Sequence, residues 1–194
     1  KQDIEGQMFA QTEQASNLAD ILILMIDGFA GLTEEDKHFA KWARKKGKPI
    51  ILVVNKCERT ESSVTEAMQL GFENPIAISA EHGLGLEELY TSLKELLEEE
   101  EEPSEEFDED EEEPKQIQLA LVGRPNVGKS TITNKLLNQE RVITSPIAGT
   151  TRDAIAIDWE YSGHNIRLID TAGMRKKSNI NEKLEKYSVS DSLN

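Results

Sequence analysis

Residues 117–140 read IQLALVGRPNVGKSTITNKLLNQE, an apolar run, a turn of fixed spacing and then a helical pattern. GRPNVGKS fits G-x-x-x-x-G-K-[ST] at every fixed position. A strand (117–123) before it and a helix (128–140) after it are the context the motif requires. Gly123 and Gly128 let the backbone fold tightly and turn its N–H groups toward phosphate oxygens, an anion site reinforced by the helix N-terminus. Lys129 adds a point charge for the β- and γ-phosphates, and the Ser130 hydroxyl is poised for Mg2+. The bland alternative, a chance glycine turn before a helix, does not account for strand, loop and helix all in register.

Downstream, AIAIDWEYSG (154–163) alternates, with Ile155, Ile157, Trp159 and Tyr161 on one face, and SGH turns it into NIRLID (165–170). The two read as a hairpin. The second strand ends in Asp170, where a Walker-B acid would stand, followed by Thr171, Ala172 and Gly173. D-x-x-G alone is a weak signal and often an ordinary strand-to-loop turn. Behind a phosphate loop it gains weight, because adjacent strands bring Asp170 to the metal and the Gly173 N–H to a γ-phosphate. Between them SPIAGTTRD (145–153) carries Thr150 and Thr151, one of whose hydroxyls would complete Mg2+ coordination; the alternative is a plain polar loop.

Upstream, strand and helix alternate. ILILMID (21–27) and PIILVVN (49–55) are continuous apolar runs suited to strands buried on both faces. TEEDKHFAKWARKKG (33–47) reads as a helix with Thr33 as N-cap, acids in its first turn, and Phe39, Trp42 and Ala43 on its apolar face. SVTEAMQLG (63–71) reads as a helix ended by Gly71, PIAIS (75–79) as a strand, and GLEELYTSLKELLEE (85–99) as a helix with Leu86, Leu89, Leu93, Leu96 and Leu97 at helical spacing. The series implies right-handed crossovers and one parallel sheet.

The second strand ends in Asn55-Lys56-Cys57-Glu58. An Asn bonds a base edge, a Lys stem lies over a planar ring, and an acid two residues on pairs with guanine N1–H and N2–H, a donor pair adenine lacks. A strand ending in polar turn residues is the common alternative, and Ser79-Ala80 after the next strand tips the balance toward a base pocket. The order is unusual, because this base-reading motif precedes the phosphate loop.

The net charge of −15 belongs to one segment. Residues 98–114, EEEEEPSEEFDEDEEEP, hold 13 of the 37 acidic residues and none of the 22 basic ones, which leaves about −2 for the rest. With one aromatic, Phe107, and two prolines, this stretch is expected to be a self-repelling linker. An acidic segment binding a basic partner is the rival. Apolar content is 37%, and no run approaches the roughly 20 residues needed to span a bilayer. No signal peptide is visible, and the single cysteine, Cys57, excludes an internal disulfide and fits a reducing compartment. A start without Met and the ending SVSDSLN suggest a piece of a longer protein.

GRPNVGKST, SPIAGTTRD, LIDTAGMRKK and EKYSV (185–189) resemble the second G domain of the tandem Era-like GTPases called EngA or Der. ADILILMIDGFAGLTEEDKHFAKWARKKGKPIILVVNKCE is similar to the latter half of that family's first G domain. The resemblance covers nearly the whole chain and includes an acidic linker. It implies an α/β P-loop fold, a mostly parallel sheet with helices on both faces. Residues 1–97 would be the C-terminal part of one G domain, 98–116 a linker, and 117–194 the N-terminal part of the next.

By the same resemblance Asn126, Val127, Gly128, Lys129, Ser130 and Thr131 bind phosphates of GTP or GDP. Ser130 and Thr151 ligate Mg2+ with Asp170 behind them, and Asn126 helps hold an activating K+. Asn55, Lys56 and Glu58 read guanine with help from Ser79 and Ala80. Lys129, Thr151 and Gly173 serve hydrolysis, and Met174 stands where some GTPases place a water-orienting Gln. Glu58 departs from the usual Asp by one methylene. The expected role is a GTPase switch in large ribosomal subunit assembly, in the bacterial cytoplasm or an organelle matrix, meeting that subunit or its rRNA through a domain absent here, with no membrane or DNA partner. The motif order is also that of circularly permuted GTPases, so the two halves docking into one hybrid site is the alternative. A P-loop ATPase or kinase is opposed by Asn55-Lys56.

Overall fold

The computed structural model describes residues 10, 12–58, 62–100, 116–137, 156–161 and 163–169. Strands β1 (Ile21–Asp27), β2 (Ile50–Asn55), β3 (Ile76–Ala77), β4 (Ile117–Val122), β5 (Ala156–Tyr161) and β6 (His164–Ile169) form one six-stranded sheet in the order β3-β2-β1-β4-β6-β5. All neighbours are parallel except β5, which runs antiparallel to β6. The helices are α1 (Glu34–Arg44), α2 (Ser62–Ala67), α3 (Leu86–Glu100) and α4 (Lys129–Leu137), with a 3-10 turn over Met68–Leu70.

The unbroken apolar runs follow from burial on both sheet faces. All seven residues of β1 are buried. Ile21, Ile23 and Met25 pack with the α3 leucines and with Ile132 and Leu136 of α4. Leu22, Leu24 and Ile26 face Ala40 and Ala43 of α1, with Ala15, Ala19 and Leu70. Each fully buried aliphatic side chain here contributes about 1.5–3 kcal/mol.

The upstream and downstream segments meet in the middle of this sheet. β1 pairs with β4 from Ile21↔Leu119 to Leu24↔Val122. At the start of that seam the Asp20 N–H donates to the Gln118 carbonyl (2.7 Å), and the Gln118 N–H returns to Asp20 Oδ2 (2.8 Å).

Several boundaries differ from the sequence reading. α1 stops at Arg44, and Lys45–Gly47 turn out of it, with Gly47 at φ 64°. The helix expected over 63–71 tightens into the 3-10 turn before Gly71, whose φ of 71° ends it. The strand expected over 75–79 is a ladder with β2 at Ile76–Ala77, after which Ile78 still exchanges hydrogen bonds with Val54 and Cys57 and Ser79 bridges Leu84. Residues 12–18 are helical, which the sequence reading did not anticipate. That segment buries only small side chains, Thr12, Ala15 and Ser16, too weak a periodic signal to notice. Lys48 closes its end by donating to the carbonyls of Ser16 (2.8 Å), Asn17 (2.8 Å) and Ala19.

Candidate functional site

The carboxyl ends of β1, β2 and β4 bring the predicted phosphate and base residues to one edge of the sheet, where parallel α/β folds hold ligands. The loop after β4 is pressed against β1: a Cβ on Gly123 (φ 141°) would lie 2.3 Å from the Met25 carbonyl oxygen. Gly128 (φ 105°) is as tightly held, because a Cβ there would lie 2.1 Å from Asn55 Nδ2. Only glycine allows both approaches.

Asn55 is the hinge between base and phosphate residues. It is 3% exposed, donates from Nδ2 to the Val127 carbonyl (2.7 Å), and accepts the Ala80 N–H at Oδ1 (2.9 Å). Lys56, at φ 66°, donates to the Asn126 carbonyl (2.9 Å) and to Asp27 Oδ2 (2.6 Å). So two consecutive residues of the upstream segment grip two consecutive carbonyls of the phosphate loop.

Burial would push the Asp27 carboxyl up. The Lys56 hydrogen bond outweighs it together with the Ala30 N–H and the charges of Lys56 and Arg124, and the group sits below the usual carboxylate range. Glu58 is exposed, and the Ser79 hydroxyl (2.5 Å) is the main cause that lowers its pKa, with its own backbone N–H, His82 and Lys56 adding to it. Burial pushes the Cys57 thiol up, assisted by Glu58 and Asp27. Ser79 also accepts the His82 N–H (3.3 Å), which anchors the turn at 79–84.

On the phosphate side, Lys129 is 8% exposed and donates to the carbonyls of Gly123 (2.7 Å) and Arg124 (2.8 Å). Val127 is fully buried, whereas Asn126, Ser130 and Thr131 are exposed. Of the predicted Mg2+ set only Ser130 is described; its hydroxyl lies exposed in the first turn of α4, a position open to an oxygen-coordinated cation. Among the described residues there is no group of three His, Cys, Asp or Glu able to hold a metal by itself. Thr150, Thr151, Asp170, Thr171, Ala172 and Gly173 lie outside the described residues, as does Met174.

Three contributors escaped the sequence reading. Asp27 links the two loops through Lys56. Asp36, read only as a first-turn acid, is 1% exposed, completes a capping box with Thr33, and pairs with Arg124 Nε at 3.1 and 3.3 Å. Phe29 lines a cavity with Lys56, Glu58, Glu81 and His82. The Thr33–Asp36 cap is a local spacing, but the Asp36–Arg124 pair, the Asp27–Lys56 link and the Phe29 cavity each join segments far apart in sequence and so leave no local pattern.

Residues 1–56 and 118–193 match the family model described as 50S ribosome-binding GTPase. The chain is similar to a protein called GTPase Der from Bradyrhizobium sp. (strain BTAi1), 50% identical over 197 residues that cover all of this chain and 43% of that protein. The GTPase Der of Rhodopseudomonas palustris (strain TIE-1) is 48% identical over 201 residues, covering all of this chain and 44% of that protein. The chain thus spans less than half the length of these curated relatives. Among solved structures, YjeQ from Thermotoga maritima aligns with a TM-score of 0.47 at 21% identity, over 77% of this chain and 46% of that one.

Proposed function

The chain belongs to the 50S ribosome-binding GTPase family, and from that premise we propose that it binds GTP and GDP in a single site to which both its segments contribute. The observation that carries this reading is the Asn55 side chain, which holds the Val127 carbonyl of the phosphate loop while standing in the guanine-reading motif. Glu58 would accept the guanine N1–H and N2–H, the Lys56 stem would underlie the ring, and the Ala80 backbone would border it, with Ser79 orienting the Glu58 carboxylate.

The reaction that follows is hydrolysis of GTP to GDP and phosphate by in-line attack of water. Backbone N–H groups of the loop 123–128 and the start of α4 stabilise charge developing on the phosphates. Lys129 would leave its two loop carbonyls for the β- and γ-phosphates. Mg2+, held through Ser130 and Thr151 with Asp170 behind them, would supply further positive charge, and Asn126 would offer an oxygen to K+. Thr151 and Gly173 would close on the γ-phosphate. With Met174 where some GTPases place a water-orienting Gln, turnover is expected to be slow.

The biological role that fits the family description is a switch in large ribosomal subunit assembly, acting in the cytoplasm on that subunit or its rRNA. Among the described residues no helix is long and apolar enough to cross a membrane. A second reading follows from the partial coverage of the relatives. In a longer protein, segments 1–97 and 117–194 would belong to two successive G domains, each completed by sequence outside this chain.

Titration of the 194-residue chain with a fluorescent GDP analogue separates the two. Micromolar binding abolished by Asn55→Ala supports the shared site; binding indifferent to that change, or none, supports the divided one. Phosphate release from GTP but not ATP tests the base selectivity.

A further inference from the structure

Phe29 follows β1 with its side chain 81% exposed, the most exposed of the large apolar residues described. A single exposed aromatic is ordinary on a protein surface. This one is held on a backbone fixed on every side. The Gly28 N–H donates to the Asn55 carbonyl (2.7 Å), and the Gly28 carbonyl accepts the buried Ser63 hydroxyl (2.6 Å). Asp27 Oδ1 accepts the N–H groups of both Phe29 and Ala30 at 3.0 Å. Gly28 itself is wedged against the guanine-reading motif, since a Cβ there would lie 2.8 Å from Cys57 Sγ and 3.0 Å from the Asn55 carbonyl oxygen. The other Asp27 oxygen binds Lys56. One carboxylate therefore sets both the backbone under the ring and the ammonium of the base-reading lysine.

Phe29 shares a cavity of about 330 Å³ with Lys56, Glu58, Glu81 and His82. Its lining residues supply an aromatic ring, a lysine, an imidazole and two carboxylates, a set suited to a flat heterocycle with a donor edge. From this geometry we infer that Phe29 is a binding residue for the nucleotide, giving the purine ring an apolar contact on a preorganised support. This assignment rests on the site being a guanine-nucleotide site. The backbone beneath the ring is already held by Asp27, Asn55 and Ser63, so contact energy is not spent on fixing a loop.

The test uses the whole chain, a fluorescent GDP analogue, and inorganic tripolyphosphate as a competitor that lacks a base. Phe29→Ala is expected to raise the Kd for GDP about fivefold to tenfold, in the range of a lost base–aromatic contact. Phe29→Tyr, which keeps the ring, is expected to stay near the unsubstituted chain, and tripolyphosphate competition is expected to be the same in all three. Unchanged GDP affinity in Phe29→Ala, or an equal loss for tripolyphosphate, overturns the assignment while leaving the nucleotide site standing. Absence of GDP binding by the unsubstituted chain overturns both.

Discussion

The β1–β4 seam and the β5–β6 hairpin sit in the same sheet and are built from different material. Across the seam, Ile21 through Leu24 face Leu119 through Val122, and every one of these side chains is within 1% of complete burial. Among the described residues, side-chain hydrogen bonds link the segments at the seam's two ends, at Asp20–Gln118 and at the loops carrying Asn55, Lys56, Asp36 and Arg124. The hairpin joins residues only a few positions apart and carries an ion pair on its surface, Asp158 to Arg167 at 2.7 Å, with 19% and 33% of the side chains exposed. A long-range seam has to be held by apolar area, because nothing local favours it. A hairpin is favoured by its own turn and can leave its polar residues in water.

That contrast can be broken from the apolar side first. Leu119→Ala at the seam should cost about 3 kcal/mol, the transfer term plus an unfilled cavity, read as a lower denaturant midpoint with unchanged slope. At the end of the seam, Asp36→Ala strands the Arg124 guanidinium and removes the Thr33 capping partner. Arg124 keeps some solvent contact, so the expected loss is smaller, about 2 kcal/mol, and GDP affinity should fall with it because Arg124 belongs to the phosphate loop. On the hairpin, Arg167→Ala should cost less than about 1 kcal/mol by the same denaturation measurement. A loss equal to that of Leu119→Ala would erase the distinction.

The smallest effect is acid sensitivity. Asp158 sits below its ordinary value of 3.8, chiefly through the Arg167 hydrogen bond, and Asp27 is also lowered, against burial, by Lys56. Groups with a depressed folded pKa add stability that is fully present above the unfolded value and is lost as pH falls through the folded one. Melting temperature should therefore hold steady above about pH 5 and fall progressively below about pH 4. The Asp158 share of that fall should disappear in Arg167→Ala.

Much of this fold was legible in the residues themselves. Unbroken runs such as ILILMID announced buried parallel strands, and GRPNVGKS announced the turn between β4 and α4. Asn55, Lys56 and Glu58 were recognisable by type and spacing, and they do converge with Ser79 and Ala80. What residue patterns could not state was the sheet order, since an apolar strand buried on both faces fits beside any other. For the same reason the Asp36–Arg124 pair, 88 positions apart, and the lodging of Gly28 beside Cys57 left no periodic trace. Helix ends were misjudged where backbone geometry overrode composition. Lys45 and Lys46 look helical, yet Gly47 pulls the chain into a turn.

The position of β1 between β2 and β4 has a consequence for the protein's birth. β4 begins 90 residues after β1 ends, and ribosomes add roughly 5–20 residues per second. For about 5–20 s, then, β1 is synthesised and its β2 side can be filled, while the row of N–H and C=O groups destined for β4 still awaits that strand. An apolar strand edge left open over such an interval is a surface through which nascent chains associate, so pairing with β4 both completes the sheet and closes that edge.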